Sequence, residues 1–235
     1  MSAADLSVAG FVPYSSCDWP GKLAATLFLQ GCPWACTYCH NPSLQNPRQH
    51  GAIRWSKIAE TLRRRQGMLD GVVFSGGEPT QQLALKDGVK AVRDLGFLAA
   101  IHTAGAYPER LREILPMLTW VGFDIKATPE GYGKVAGVEA AGGKAWKSLT
   151  YVQRAGVDYE VRVSVDPTVH TTADIEAIAD ELTQRGARPP ILQEVRPDGT
   201  NPDYAAKLGD KRLTDVVPGN VLTHLKRREV TPPVC

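Results

Sequence analysis

The strongest constraint on the fold is an alternation of short apolar runs with stretches of helical periodicity. Leu23 to Gln30, Val72 to Phe74, Leu98 to Ile101, Trp120 to Ile125, Tyr159 to Val165 and Ile191 to Val195 read as strands. Between the first two, Ser56 stands as the N-cap of a helix reaching about Gln66, with Ile58 and Leu62 on one face. Leu83, Leu85, Val89, Val92 and Leu95 recur at near-helical spacing and stop at Gly96, which suits a C-terminal cap. Pro108 to Leu115 and Lys144 to Arg154 give two more helices, the second weakened by Gly137, Gly142 and Gly143 ahead of it. Thr171 or Thr172 caps a last helix to about Arg185. Crossovers long enough to carry helices imply parallel strands, so the fold class is α/β. Alternation does not separate an open sheet from a barrel. A complete eight-unit barrel typically needs ~250 residues, so six units in 235 residues fit an incomplete barrel better than a closed one.

There are no repeats, no low-complexity tract and no Gly/Ser linker, so residues 1–235 are expected to form a single domain. No run of ~20 apolar residues is present to span a bilayer. The 27 Lys and Arg against 25 Asp and Glu supply no strong basic field, which argues against nucleic acid as the main partner. Met1 to Tyr14 lacks the charged start and long apolar stretch of a secretory signal, so a reducing cytoplasm is expected. Five cysteines in that compartment are ligands or thiols rather than staples.

Cys17 and Cys235 stand apart and read as free thiols without function. Cys32, Cys36 and Cys39 fall in Gly31-Cys-Pro-Trp-Ala-Cys-Thr-Tyr-Cys-His40, a C-x3-C-x2-C spacing. Three thiolates this close can converge on one metal centre, and soft sulfur suits an iron-sulfur cluster or zinc. Zinc would need a fourth protein ligand, and His40 is the one on offer. A [4Fe-4S] cluster on three cysteines keeps one iron open to a small molecule, which points to chemistry rather than electron storage.

In parallel α/β folds ligands gather at the carboxyl ends of strands. Here those ends carry the cysteines, Ser75-Gly-Gly-Glu-Pro79, His102-Thr-Ala-Gly105, Asp124-Ile-Lys126, Arg162 with Ser164, and Gln193 with Glu194. Gly76 and Gly77 would let a ligand approach the backbone, and the Glu78 carboxylate could receive an ammonium group; the plainer alternative is a strand-to-helix turn with a capping glutamate. Asp124 and Lys126 can both face the mouth, or simply pair at a strand end. His102 reads first as a satisfied structural histidine.

Together these motifs resemble the radical S-adenosylmethionine superfamily, with its C-x3-C-x2-C loop, later Gly-Gly-Glu-Pro-type motif and partial (β/α)6 barrel. Asp18-Trp-Pro-Gly-Lys22 and Gln30 to Pro42 are similar to the activating enzymes of glycyl radical enzymes, closest to those of anaerobic ribonucleoside-triphosphate reductase. The resemblance covers roughly Ala9 to Pro197 and leaves a tail from Asp198 to Cys235. It implies that Cys32, Cys36 and Cys39 hold the cluster, and that S-adenosylmethionine chelates the fourth iron. Tyr38 and His40 would lie near the adenine. Gly76, Gly77 and Glu78 would meet the methionyl ammonium, and Lys126 the carboxylate. Thr103 and Asp124 fall where related activases bind a monovalent cation, but His102 stands where they have a carboxylate. Asp18 matches an Asp near the glycine-bearing substrate loop. The implied partners are a glycyl radical enzyme and an electron donor such as flavodoxin or ferredoxin. The competing readings are a superfamily member acting on a small molecule of the deazapurine type, and a noncatalytic zinc protein.

Overall fold

A computed structural model describes residues 1–217, 219 and 226–227. Its described residues form an eight-stranded sheet in sequential order. The strands are β1 (Val8–Ser15), β2 (Ala24–Leu29), β3 (Gly71–Gly76), β4 (Leu98–Thr103), β5 (Trp120–Asp124), β6 (Asp158–Val165), β7 (Ile191–Glu194) and β8 (Lys226–Arg227). All neighbours from β2 to β8 are parallel, and β1 adds antiparallel to β2. The six strands expected from the sequence are β2 to β7, which make the partial (β/α)6 barrel. The two outer strands were not anticipated. In β1, Gly10 and Pro13 break the alternation, and two register shifts against β2 fall beside them.

Helices follow the strands: α1 (Trp55–Arg63), α2 (Leu85–Asp94), α3 (Pro108–Ile114), α4 (Tyr132–Ala136), α5 (Ala141–Arg154), α6 (Thr172–Gln184), α7 (Pro202–Leu208) and α8 (Leu213–Val216). Ser56 lies inside α1 rather than at its cap, which is Arg54, and the helix ends three residues earlier than expected. Thr171 caps α6 in a reciprocal box with Asp174. Gly142 sits within α5 instead of interrupting it, and the place requires glycine, since a Cβ there would overlap the Pro129 carbonyl. The stretch after Asp198 brings Tyr204, Leu208, Leu213, Val216 and Val217 into the core.

The two faces of the sheet differ. Ala25, Leu27, Leu29, Val72, Phe74, Ala99, Ile101, Val121 and Phe123 point to the helices and share their core. The opposite face is apolar only low down, where Ala24, Val73 and Ala100 lie with Trp19 stacked 6.1 Å from Trp120. Above that plug, at the carboxyl ends, the same face carries Ser75, His102, Asp124, Arg162 and Ser164, so the lumen turns polar where a ligand would enter. No helix of the described residues is long and apolar enough to cross a membrane.

Candidate active site

The cysteine loop leaves β2 and is held by backbone on several sides. Gly31 N–H donates to Leu44 O at 2.7 Å, and Cys32 N–H to Gln45 O at 3.1 Å. Ala35 and Thr37 donate to the carbonyls of Ala136 and Val135, the otherwise unpaired C-terminal carbonyls of α4. Gly137, in the left-handed region at φ 68°, ends that helix against Ala35. Trp34 packs edge-on to Tyr132 at 5.7 Å. The 132–137 segment was not anticipated; Gly137 read as an interruption when it is a cap that shapes the loop.

Burial pushes the Cys32 thiol up to about 12 and raises Cys36 as well, with Lys126 pulling both down. Thiols in this state are neither nucleophiles nor ligands until a metal displaces their protons. Cys36 and Cys39 line a cavity of about 410 Å³ beside Thr37, Tyr204 and Lys207, while Cys32 stands outside its lining. His40, the fourth ligand that zinc would need, is committed elsewhere: its Nδ1 donates to Asp198 O at 3.2 Å. Among the described residues the three thiols are not already gathered at one ion's ligand distances; by chemistry, three soft donors without a fourth protein ligand suit a cluster better than zinc. Cys17 is disulfide-bonded, which corrects its reading as a free thiol; Cys235 lies outside the described residues.

The Gly-Gly-Glu-Pro turn is built against this loop. Gly77 N–H donates to Leu29 O and Glu78 N–H to Gly31 O, at 2.9 and 2.8 Å. A Cβ on Gly77 would overlap Gly31 O, and one on Gly76, at φ 113°, would overlap Leu29. The glycines thus admit the neighbouring strand and loop; closeness to a ligand is not needed to explain them. Glu78 caps the short turn Pro79–Gln81, as the plainer reading had it, but does more. Its Oε1 accepts from Thr80 N, Thr80 Oγ1 and Thr103 Oγ1 at 3.0, 2.6 and 2.6 Å, and its Oε2 from Ala104 N at 2.9 Å. A carboxylate offers about four lone-pair sites over two oxygens, so Oε2 retains an open one. Glu78 is 2% exposed, and among the described residues no Lys or Arg forms an ion pair with it. Hydrogen bonds alone hold this buried carboxylate, so an ammonium group could still reach the open site on Oε2.

Lys126 lies across the mouth. Its Nζ is 3.4 Å from the Tyr38 hydroxyl and 5.3 Å from that ring's centre. Its backbone N–H donates to Tyr132 Oη, and its carbonyl accepts from His170 Nε2 at 3.0 Å. His170 in turn accepts from Asp166 N, and Asp166 Oδ2 accepts from Thr37 Oγ1 at 2.7 Å, tying Lys126 to the cysteine loop. Burial alone would lower the Lys126 pKa, but Tyr38, Cys36 and Asp124 outweigh it and hold the ammonium charged. Asp124 pairs with Arg162, Nε to Oδ1 at 2.7 Å; burial opposes its charge, and Arg162 and Lys126 keep it below the usual carboxylate range. On the lumen side, Thr26 Oγ1 donates to Asp18 at 2.5 Å, and His102 Nε2 donates to the Asp18 carbonyl at 2.7 Å. Burial, then the charge of Arg162, depresses the His102 pKa to about 3, so the imidazole is neutral.

A polar mouth on a partial barrel, with three cysteines and an unpaired buried glutamate at its rim, defines a cofactor-dependent α/β enzyme. The chain belongs to the radical SAM superfamily, whose sequence model matches residues 26–182. It is a radical SAM enzyme, and its cofactors are a [4Fe-4S] cluster and S-adenosylmethionine; the zinc reading falls. Within the superfamily it is similar to a protein of Methanocaldococcus jannaschii named as a glycyl-radical enzyme activating enzyme, 30% identical over 73% of each chain. It is also 33% identical to the pyruvate formate-lyase-activating enzyme of Clostridium pasteurianum over 65% of each. Among solved structures, Streptococcus suis SuiB bound to S-adenosylmethionine matches in fold with a TM-score of 0.62 at 17% identity. That match covers 85% of this chain and only 48% of SuiB.

Proposed function

We propose that this enzyme generates a glycyl radical on a partner protein, and that the partner is an anaerobic ribonucleoside-triphosphate reductase. The observation that carries the activase reading is the 30% identity to a named activating enzyme over nearly three quarters of both chains. The choice of reductase rests on the likeness of the segments Asp18 to Lys22 and Gln30 to Pro42.

Cys32, Cys36 and Cys39 would hold the cluster and leave its fourth iron to the cofactor. When bound and reduced by one electron from a donor such as flavodoxin or ferredoxin, these cofactors supply a 5′-deoxyadenosyl radical. The chain's own residues then position and shield. Glu78, fixed by four donors, presents the open site on Oε2 to the methionyl ammonium. Lys126, held charged by its neighbours, takes the carboxylate. Tyr38 and His40 border the adenine, with His40 pinned by the loop after β7. The Trp19 and Trp120 plug closes the lumen from below, which keeps water from a reactive radical. Asp18, oriented by Thr26 and His102, faces the lumen where a glycine-bearing loop would enter and offers it an acceptor.

Anaerobic incubation with the reductase, a reductant and S-adenosylmethionine is expected to give a glycyl radical signal by electron paramagnetic resonance. A cluster-loaded sample that cleaves the cofactor and never gives the signal would sink the activase reading in favour of a small-molecule substrate.

A further inference from the structure

The resemblance raised a monovalent cation at Thr103 and Asp124 and put it in doubt at His102, and the residues present do not make that site. Thr103 Oγ1 gives its proton to Glu78 and accepts from Gly105 N at 2.9 Å. His102 has both ring nitrogens engaged, Nε2 on the Asp18 carbonyl at 2.7 Å and Nδ1 facing Ser75 Oγ at 3.4 Å. Asp124 is the one carboxylate left, and the Arg162 guanidinium is already on it, with a second nitrogen donating to Gly122 O at 3.3 Å.

We infer that the Arg162 guanidinium, fixed on Asp124, supplies the positive charge beside the cofactor's carboxylate, so that this enzyme binds S-adenosylmethionine without an alkali-metal ion. This rests on the reading that the carboxylate lies at Lys126. Arg162 reaches the site from β6, and Asp124↔Arg162 is a register pair of β5 and β6, so the sheet itself sets the contact. Arg162 is 6% exposed and its guanidinium cannot lose its proton, which makes it a permanent charge. An added ion would meet two fixed cations, Arg162 and Lys126, against Asp124, already paired, and Asp18, already taken by the Thr26 hydroxyl. It would also meet a neutral imidazole where a second carboxylate would be needed, and like charges in a low-dielectric mouth repel strongly.

The test uses the wild-type protein in potassium, sodium and tetramethylammonium chloride at equal ionic strength. Calorimetric titration of S-adenosylmethionine into the cluster-loaded protein should give dissociation constants within about twofold across the three salts, and a loss of about tenfold or more in tetramethylammonium overturns the inference. Melting of the cluster-free protein should show no ion-specific gain, whereas a Tm rising with the logarithm of potassium concentration also overturns it. Arg162→Gln uncovers Asp124 and should make both readouts potassium-dependent. A folded R162Q protein that keeps full cofactor affinity in every salt would refute the assigned role. If R162Q fails to fold, the wild-type salt series decides alone. Lys126→Met with unchanged affinity would instead remove the placement of the carboxylate. That failure is separable, because the cluster-free melting series involves no cofactor.

Discussion

Thr103→Val is the substitution that most directly separates a ligand from a clamp at this site. The hydroxyl donates to the Glu78 carboxylate at 2.6 Å and accepts from Gly105 N–H at 2.9 Å, and Thr103 is buried. Valine keeps the shape and deletes both contacts. A hydrogen bond to a charged group is worth about 1.5–3 kcal/mol, and a buried donor left unpaired costs about 1–3 kcal/mol, so T103V should lose about 2.5–6 kcal/mol. Against the ~5–15 kcal/mol that stabilises a domain, this is a large fraction. Thr103→Ser keeps the hydroxyl and loses one methyl, about 1 kcal/mol. Urea unfolding of the cluster-free protein under reducing, alkali-metal-free conditions measures both variants with no cofactor present. If T103V unfolds within about 1 kcal/mol of wild type and T103S is no different, the hydroxyl does not hold Glu78, and the account of the buried carboxylate fails.

Three further outcomes follow from the same geometry. Replacing Cys32, Cys36 or Cys39 with Ala should leave the protein folded but unable to retain four irons, read by iron analysis and visible absorbance, and should abolish cofactor cleavage. Gly77→Ala drives a methyl group into Gly31 O and should cost about 2 kcal/mol or more while weakening cluster retention; near-wild-type stability and iron content would show that the turn and loop are not in register. Stability should fall as pH drops from 6.5, because unfolded chains protonate His102 there and the folded state does not until about 3. The slope is about 1.4 kcal/mol per pH unit for that one proton, or about 2 kcal/mol by pH 5. His170, also depressed by burial, acts in the same direction, so the comparison that isolates His102 is the difference in slope between wild type and His102→Gln. The window of Asp124 lies below its usual 3.8 and does not overlap.

Much of the barrel was legible because strands buried on both faces print as apolar runs, and amphipathic helices print their period between them. The first strand was not, since Gly10 and Pro13 spoil its pattern and its place comes from antiparallel pairing to β2. Helix α4 is only five residues long, below the span at which periodicity can be read. At the site, spacing alone exposed the cysteines and the Gly-Gly-Glu-Pro turn, because their chemistry is local. The destinations of the Thr103 hydroxyl and the Arg162 guanidinium were hidden. Each crosses between elements, over 25 and 38 residues of chain, and is decided by which strands lie side by side.

The cysteine loop is bound on several sides by its own chain. Amides of Gly31, Cys32, Ala35 and Thr37 are spoken for by carbonyls from two other segments, and the Thr37 hydroxyl by Asp166. A loop so bound is a mould that outlasts its casting. Chelating the iron should lower the Tm by the lost binding energy yet leave a folded chain that takes up a new cluster, read by circular dichroism and iron analysis.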